Sequence, residues 1–125
     1  MSDCDFERLP AGVPRESSAA LGTAGTILRA MVSAAFGLPA QALDGDSRGR
    51  ADVAFARQVA MYLAHTRLHL PYVVAGQLFD RDRTTARHAC RQVEERRDDP
   101  RVDAIVDYLE RAVDIWPGRN DLSRP

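Results

Sequence analysis

Apolar residues recur three and four positions apart over most of this chain and never alternate for long, a pattern that confines it to helices packed on helices. From Ala19 to Phe36, the set Ile27, Leu28, Met31, Val32, Ala35 and Phe36 keeps that step, and Gly37 supplies a stop. Pro39 to Leu43 makes a short turn with Leu43 dipping inward, and Gly45 and Gly49 allow an arm that carries Arg48 and Arg50. Between Ala51 and about Arg67, Phe55, Val59, Tyr62 and Leu63 form a buried arc, with Arg57, Gln58 and His65 together on the other side. Pro71 can occupy the first turn of a short helix running to Phe79, and Asp80 to Asp82 make a tight connection. Asp82 is placed to N-cap a helix from Arg83 to about Arg97. After Pro100, a last helix turns Val102, Ile105, Val106, Leu109 and Val113 inward. The expectation is an all-α fold, a small helical bundle, in one domain over residues 18–116, with tails at 1–17 and 117–125.

The helix from Arg83 is unlike a core helix. Its apolar stripe is only Ala86, Ala89, Cys90 and Val93, while Arg83, Thr84, Arg87, His88, Arg91 and Gln92 share the face away from it. Net charge is −1 over 125 residues, yet from Ser47 to Arg91 eight arginines stand against three acids. Residues 1–46 carry three basic residues against six acids, and 92–125 carry six against nine, so one basic segment lies between two acidic flanks. A short helix, a tight turn and a longer helix opening on arginine and threonine make a helix-turn-helix, a unit whose second helix enters the major groove of duplex DNA. Arg83 can give two hydrogen bonds to guanine O6 and N7, and Thr84 and Thr85 offer a hydroxyl and a methyl to base edges. Asp82 can accept from a cytosine amino group while also capping the helix. Arg57, Arg81, Arg87 and Arg91 suit phosphates.

The string Ala56-Arg57-Gln58-Val59-Ala60-Met61-Tyr62-Leu63, then Gly76-Gln77-Leu78-Phe79, Arg81-Asp82-Arg83-Thr84-Thr85 and His88-Ala89-Cys90-Arg91, resembles the C-terminal DNA-binding domain of the bacterial replication initiator DnaA, from near Ile27 to about Leu109. The resemblance implies that Arg57 and Gln58 hold the DNA backbone, that Asp82, Thr84 and Thr85 read bases, and that His88 contacts phosphate or packs. The sequence departs from the family where Arg83 replaces a histidine, where one residue fewer follows Phe79, and where the family's minor-groove arginine aligns with Gly49, leaving Arg48 and Arg50 to reach that groove. The family's full-length members also carry an ATPase module, and no phosphate-cradling glycine motif occurs here.

These features lead us to expect a stand-alone sequence-specific binder of double-stranded DNA, regulating transcription or replication initiation at DnaA-box-like sites. The alternative is a protein–protein interaction module on the same scaffold, and a homodimer through the helix at 19–36 is compatible with either. No window approaches the roughly 20 apolar residues of a spanning helix, so a cytoplasmic, nucleoid-associated protein is expected. Cys4 and Cys90 lie far apart, with no metal-ligand spacing, and Cys90 reads as a buried free thiol. Histidines 65, 69 and 88 have no nucleophile placed beside them, so neither enzyme activity, a cofactor, a metal nor a small-molecule substrate is expected.

Overall fold

A computed structural model describes residues 15–39, 41–44 and 51–123. The arm with Arg48 and Arg50, and most of the expected tail at 1–17, lie outside the described residues. All regular structure among the described residues is helical: α1 (Arg15–Ala35), α2 (Ala51–Thr66), α3 (Tyr72–Gln77), α4 (Arg83–Arg96), α5 (Pro100–Asp114) and α6 (Arg119–Ser123). No helix among them is long and apolar enough to cross a membrane.

The first helix begins four residues before Ala19, inside the span expected as tail. Apolar spacing could not mark that start, because Leu21 is the first described residue to enter the core. Its end follows the glycine signal. Gly37 takes a left-handed φ of 68°, Leu38 N–H donates to the Ser33 carbonyl at 2.8 Å, and Gly37 N–H donates to the Ala34 carbonyl at 3.1 Å.

The second helix is the axis of the bundle. It packs against α1, α3, α4 and α5 and buries ten of its residues. Val59, Met61 and Leu63 are essentially inaccessible, and each such side chain contributes about 1.5–3 kcal/mol through removal from water. Over its middle turns α2 is covered on nearly every side, with exposure confined to Ala51, Asp52 and Ala54 at its start, and this overturns one expectation: Arg57, read as lying opposite the buried arc, is only 6 % exposed. A one-sided amphipathic reading assumes solvent behind the helix, and here neighbouring helices take its place.

Two arginine knots fasten the acidic C-terminal helix to this axis. Arg97, just past α4, donates to Asp103 at 2.6 Å, Glu110 at 3.0 Å and the Tyr62 hydroxyl at 3.2 Å. Arg67 grips Asp114 through both carboxylate oxygens. Asp99 caps α5 by accepting from Arg101 N–H at 2.9 Å, with Pro100 in the first turn where its missing N–H is harmless. The 117–125 stretch, expected as a tail, contains α6, whose Leu122 packs on the core. Arg119 Nε–H donates to the Asp114 carbonyl at 2.6 Å, a tie that no apolar period announces.

Candidate nucleic-acid interface

The third helix is shorter than the sequence suggested, covering Tyr72–Gln77, with Pro71 at the N-cap rather than inside the first turn. Its entry is held by the end of α2: His65 Nδ1–H donates to the Leu70 carbonyl at 2.8 Å, and the imidazole stacks on Tyr72 with centroids 3.9 Å apart. His65 is therefore engaged rather than free on an outer face. Its exit makes the turn. Asp80 is left-handed, with φ 57°, Arg81 N–H donates to the Gly76 carbonyl at 2.9 Å, and Asp80 N–H donates to the Gln77 carbonyl at 3.2 Å. These are the paired closing bonds of a left-handed helix C-cap, a place where aspartate is tolerated better than most residues.

Gly76 is indispensable to that geometry. A Cβ there would sit 2.6 Å from the Arg81 carbonyl oxygen and 2.8 Å from that of Asp82, so the turn lies directly on the α3 backbone. Arginines meet the remaining turn carbonyls. Arg81 Nη1–H donates to Phe79 at 3.1 Å and to Asp80 at 3.2 Å, while Arg29 of α1 donates to Leu78 from across the bundle.

The fourth helix starts where the sequence placed it. The Asp82 carboxylate accepts from Thr85 N–H at 2.8 Å, and hydrogen bonds from the Thr85 amide and then its hydroxyl hold the carboxyl below the usual aspartate value. Ala86, Ala89, Cys90 and Val93 face inward. Burial, reinforced by the nearby Glu94 charge, pushes the Cys90 thiol up to about 11, so it is neutral at physiological pH. Outward stand Asp82, Arg83, Thr84, Thr85, Arg87, His88 and Arg91, all exposed. His88 is thus not a packing residue.

The arginines of this surface differ from most elsewhere in the described fold in making no ion pair. Arg67, Arg97, Arg101 and Arg111 are ion-paired, and Arg96 lies over the Phe55 ring at 4.2 Å. Among the described residues, no ion pair, hydrogen bond or ring contact engages Arg83, Arg87 or Arg91, which succeed one another every fourth residue along one flank of α4. Beside that flank, α2, α3 and α4 border a groove of about 360 Å³ lined by His65, Thr66, Tyr72, Arg87, Arg91 and the acidic Glu94.

The structure therefore gathers Asp82, Arg83, Thr84, Thr85, Arg87, His88 and Arg91 on one helix. Gln58 is half-buried and Arg57 buried on α2, Arg81 is folded back onto the turn, and Arg48 and Arg50 lie outside the described residues. Sequence reasoning missed Arg29 and Gly76 as determinants of this site. An arginine edging the apolar stripe of α1, and a glycine inside a helical segment, were the available signals.

A protein-family model described as the bacterial DnaA protein helix-turn-helix matches residues 26–93, just over half of the chain. No solved structure matches. The family match takes in α2, α3 and most of α4 and leaves α5 and α6 beyond it.

Proposed function

Because the chain belongs to the bacterial DnaA helix-turn-helix family, a family of DNA-binding domains, we propose that it reads a short duplex sequence by laying the first two turns of α4 in the major groove. Arg83 pairs with the O6 and N7 of a guanine, Thr84 and Thr85 meet base edges and a thymine methyl, and Asp82 accepts from a cytosine amino group without giving up its cap. Arg87, His88 and Arg91 contact phosphates. Backbone or minor-groove roles fall to Gln58, Arg81, Arg48 and Arg50, following the family resemblance and the positive segment, whereas the burial of Arg57 takes it out of reach of the DNA backbone. At the cellular level the protein regulates transcription or replication initiation at DnaA-box-like sites.

The observation that carries this reading is the unpaired Arg83–Arg87–Arg91 row beside exposed threonines. Where Arg29, Arg57, Arg67, Arg81, Arg96, Arg97, Arg101, Arg111 and Arg119 are all engaged, an unpaired row facing solvent favours a polyanion. Fluorescence anisotropy against a site selected from random duplexes, over a salt series, tests it. The expected result is an affinity that falls steeply with salt and exceeds that for scrambled duplex by at least about a thousandfold; equal, salt-independent affinity for every duplex defeats the reading.

A second reading, contact with another protein, draws support from a different surface. There, Met31, Ala34, Ala35, Tyr108, Leu109 and Ala112 line an apolar groove of about 300 Å³ between α1 and α5, and Tyr108 stands 67 % exposed at its rim. A homodimer through α1 is one form of it, and sedimentation with and without DNA separates the two readings: concentration-dependent dimerisation without DNA supports the contact, and a monomer at all concentrations removes it.

A further inference from the structure

Arg29 makes three contacts that the helix-turn-helix unit itself does not supply. From the middle of α1, 49 positions before Leu78, its Nη2–H donates to the Leu78 carbonyl. Its guanidinium lies over the Phe79 ring, 5.0 Å from the centroid, and its Nε stands 3.6 Å from the Asp44 carboxylate. One turn earlier, Gly25 leaves the room this needs, since a Cβ there would come within 3.3 Å of Arg29 Nη1 and 3.7 Å of the Leu78 side chain. Leu78 and Phe79 are the first two residues after α3, and the chain enters α4 four residues later.

Whatever fixes those two residues fixes the angle at which α4 leaves the bundle. The local closing bonds from Asp80 and Arg81 tie the turn to α3, and the burial of Leu78 and Phe79 seats it on the core; neither supplies a directional bond from the turn to α1. Arg29 joins the turn to α1, and through Asp44 it joins α1 to the turn that follows. A planar guanidinium suits this task because it donates along two edges while stacking on a ring, which an ammonium cannot do at once. The side chain is only 24 % exposed, so it is not itself part of the surface that faces solvent.

We propose that Arg29 is a positioning residue for sequence reading: it sets the pitch of α4 so that Arg83, Thr84 and Thr85 arrive together at their bases. This inference rests on the DNA-reading function proposed above. Base contacts fail with small displacements because hydrogen-bond geometry is strict, whereas phosphate contacts tolerate them. Loss of Arg29 therefore lowers discrimination and spares non-specific affinity.

The test measures affinities of wild type, Arg29→Met and Arg29→Lys for the selected duplex and for a scrambled one, at a temperature where circular dichroism shows each variant fully folded. Arg29→Met is expected to cut the specific-to-scrambled ratio on the order of tenfold, the cost of about one misplaced base contact, with scrambled affinity and its salt slope unchanged. Arg29→Lys keeps charge and stem and falls between. Asp44→Asn, a change at an exposed carboxylate that leaves the donor of the Leu78 bond in place, is expected to reduce the ratio in the same direction but less. A merely structural or charge role lowers both affinities by the same factor, and that result, or an unchanged ratio in Arg29→Met, overturns the proposal while DNA reading stands. If wild type itself does not discriminate between the duplexes, the reading and this inference fall together.

Discussion

Gly76 shows how one missing methyl group shapes the interface. Replacing it with alanine puts a Cβ against two backbone carbonyls that have nowhere to go, so the turn must lift off α3. Gly76→Ala is expected to lose about 1–3 kcal/mol in chemical denaturation despite alanine's better helix propensity; a stabilised variant contradicts the account of the turn. At Asp80 the opposite holds. Its left-handed backbone means that Asp80→Gly should be neutral or gain up to about 1 kcal/mol, whereas Asp80→Val should lose about 1–2 kcal/mol. Cys90 is expected to resist alkylation at pH 8 in the folded protein, because its thiol, raised to about 11, is scarcely ionised there. Mass spectrometry of the Cys90 peptide reads this, and rapid labelling under native conditions counts against the burial.

Among the helices, α4 was the most legible in the sequence and α6, expected as tail, the least, while α2 was read correctly in bounds and buried arc but not in how fully it is covered. The narrow Ala86, Ala89, Cys90, Val93 stripe, with arginine and threonine on the remaining faces, fixes which side of α4 packs, and Asp82 marks its start. Arg57 was misplaced because periodicity reports how apolar residues are spaced on one helix, not how many neighbours surround it. The shortness of α3 was hidden for another reason: its end is set by backbone closure at Asp80 and by the Gly76 contact, which leave little trace in composition. The Asp82 cap gives α4 a pH dependence with a definite sign. A carboxyl held below its usual value in the folded protein stabilises fully above the ordinary aspartate range, and that contribution is lost as pH falls through the lowered value. Denaturation midpoints between pH 7 and pH 3 should fall more in wild type than in Asp82→Asn; parallel curves contradict the cap.

Across the whole molecule, charge is divided between fastening and display. The acidic C-terminal helix is consumed by Arg67 and Arg97, which bind Asp114, Asp103 and Glu110, so the negative flank seen in the sequence works partly as an internal fastener. Removing Arg97 leaves Glu110, only 16 % exposed, without its cation, and Arg97→Met is expected to cost on the order of 2 kcal/mol in denaturation. An unchanged midpoint rules out the knot. Among the described residues, Arg83, Arg87 and Arg91 of α4 are displayed without partners. The most direct measurement of the central claim is the affinity of Arg83→Ala across a panel of single-base variants of the selected site, with Arg91→Ala alongside. Arg83→Ala should lose about 1–3 kcal/mol on the preferred site and become indifferent at one base pair, while Arg91→Ala weakens all duplexes alike and lowers the salt slope by about one. Should Arg83→Ala weaken every duplex equally and leave every base preference intact, α4 is not the element that reads sequence.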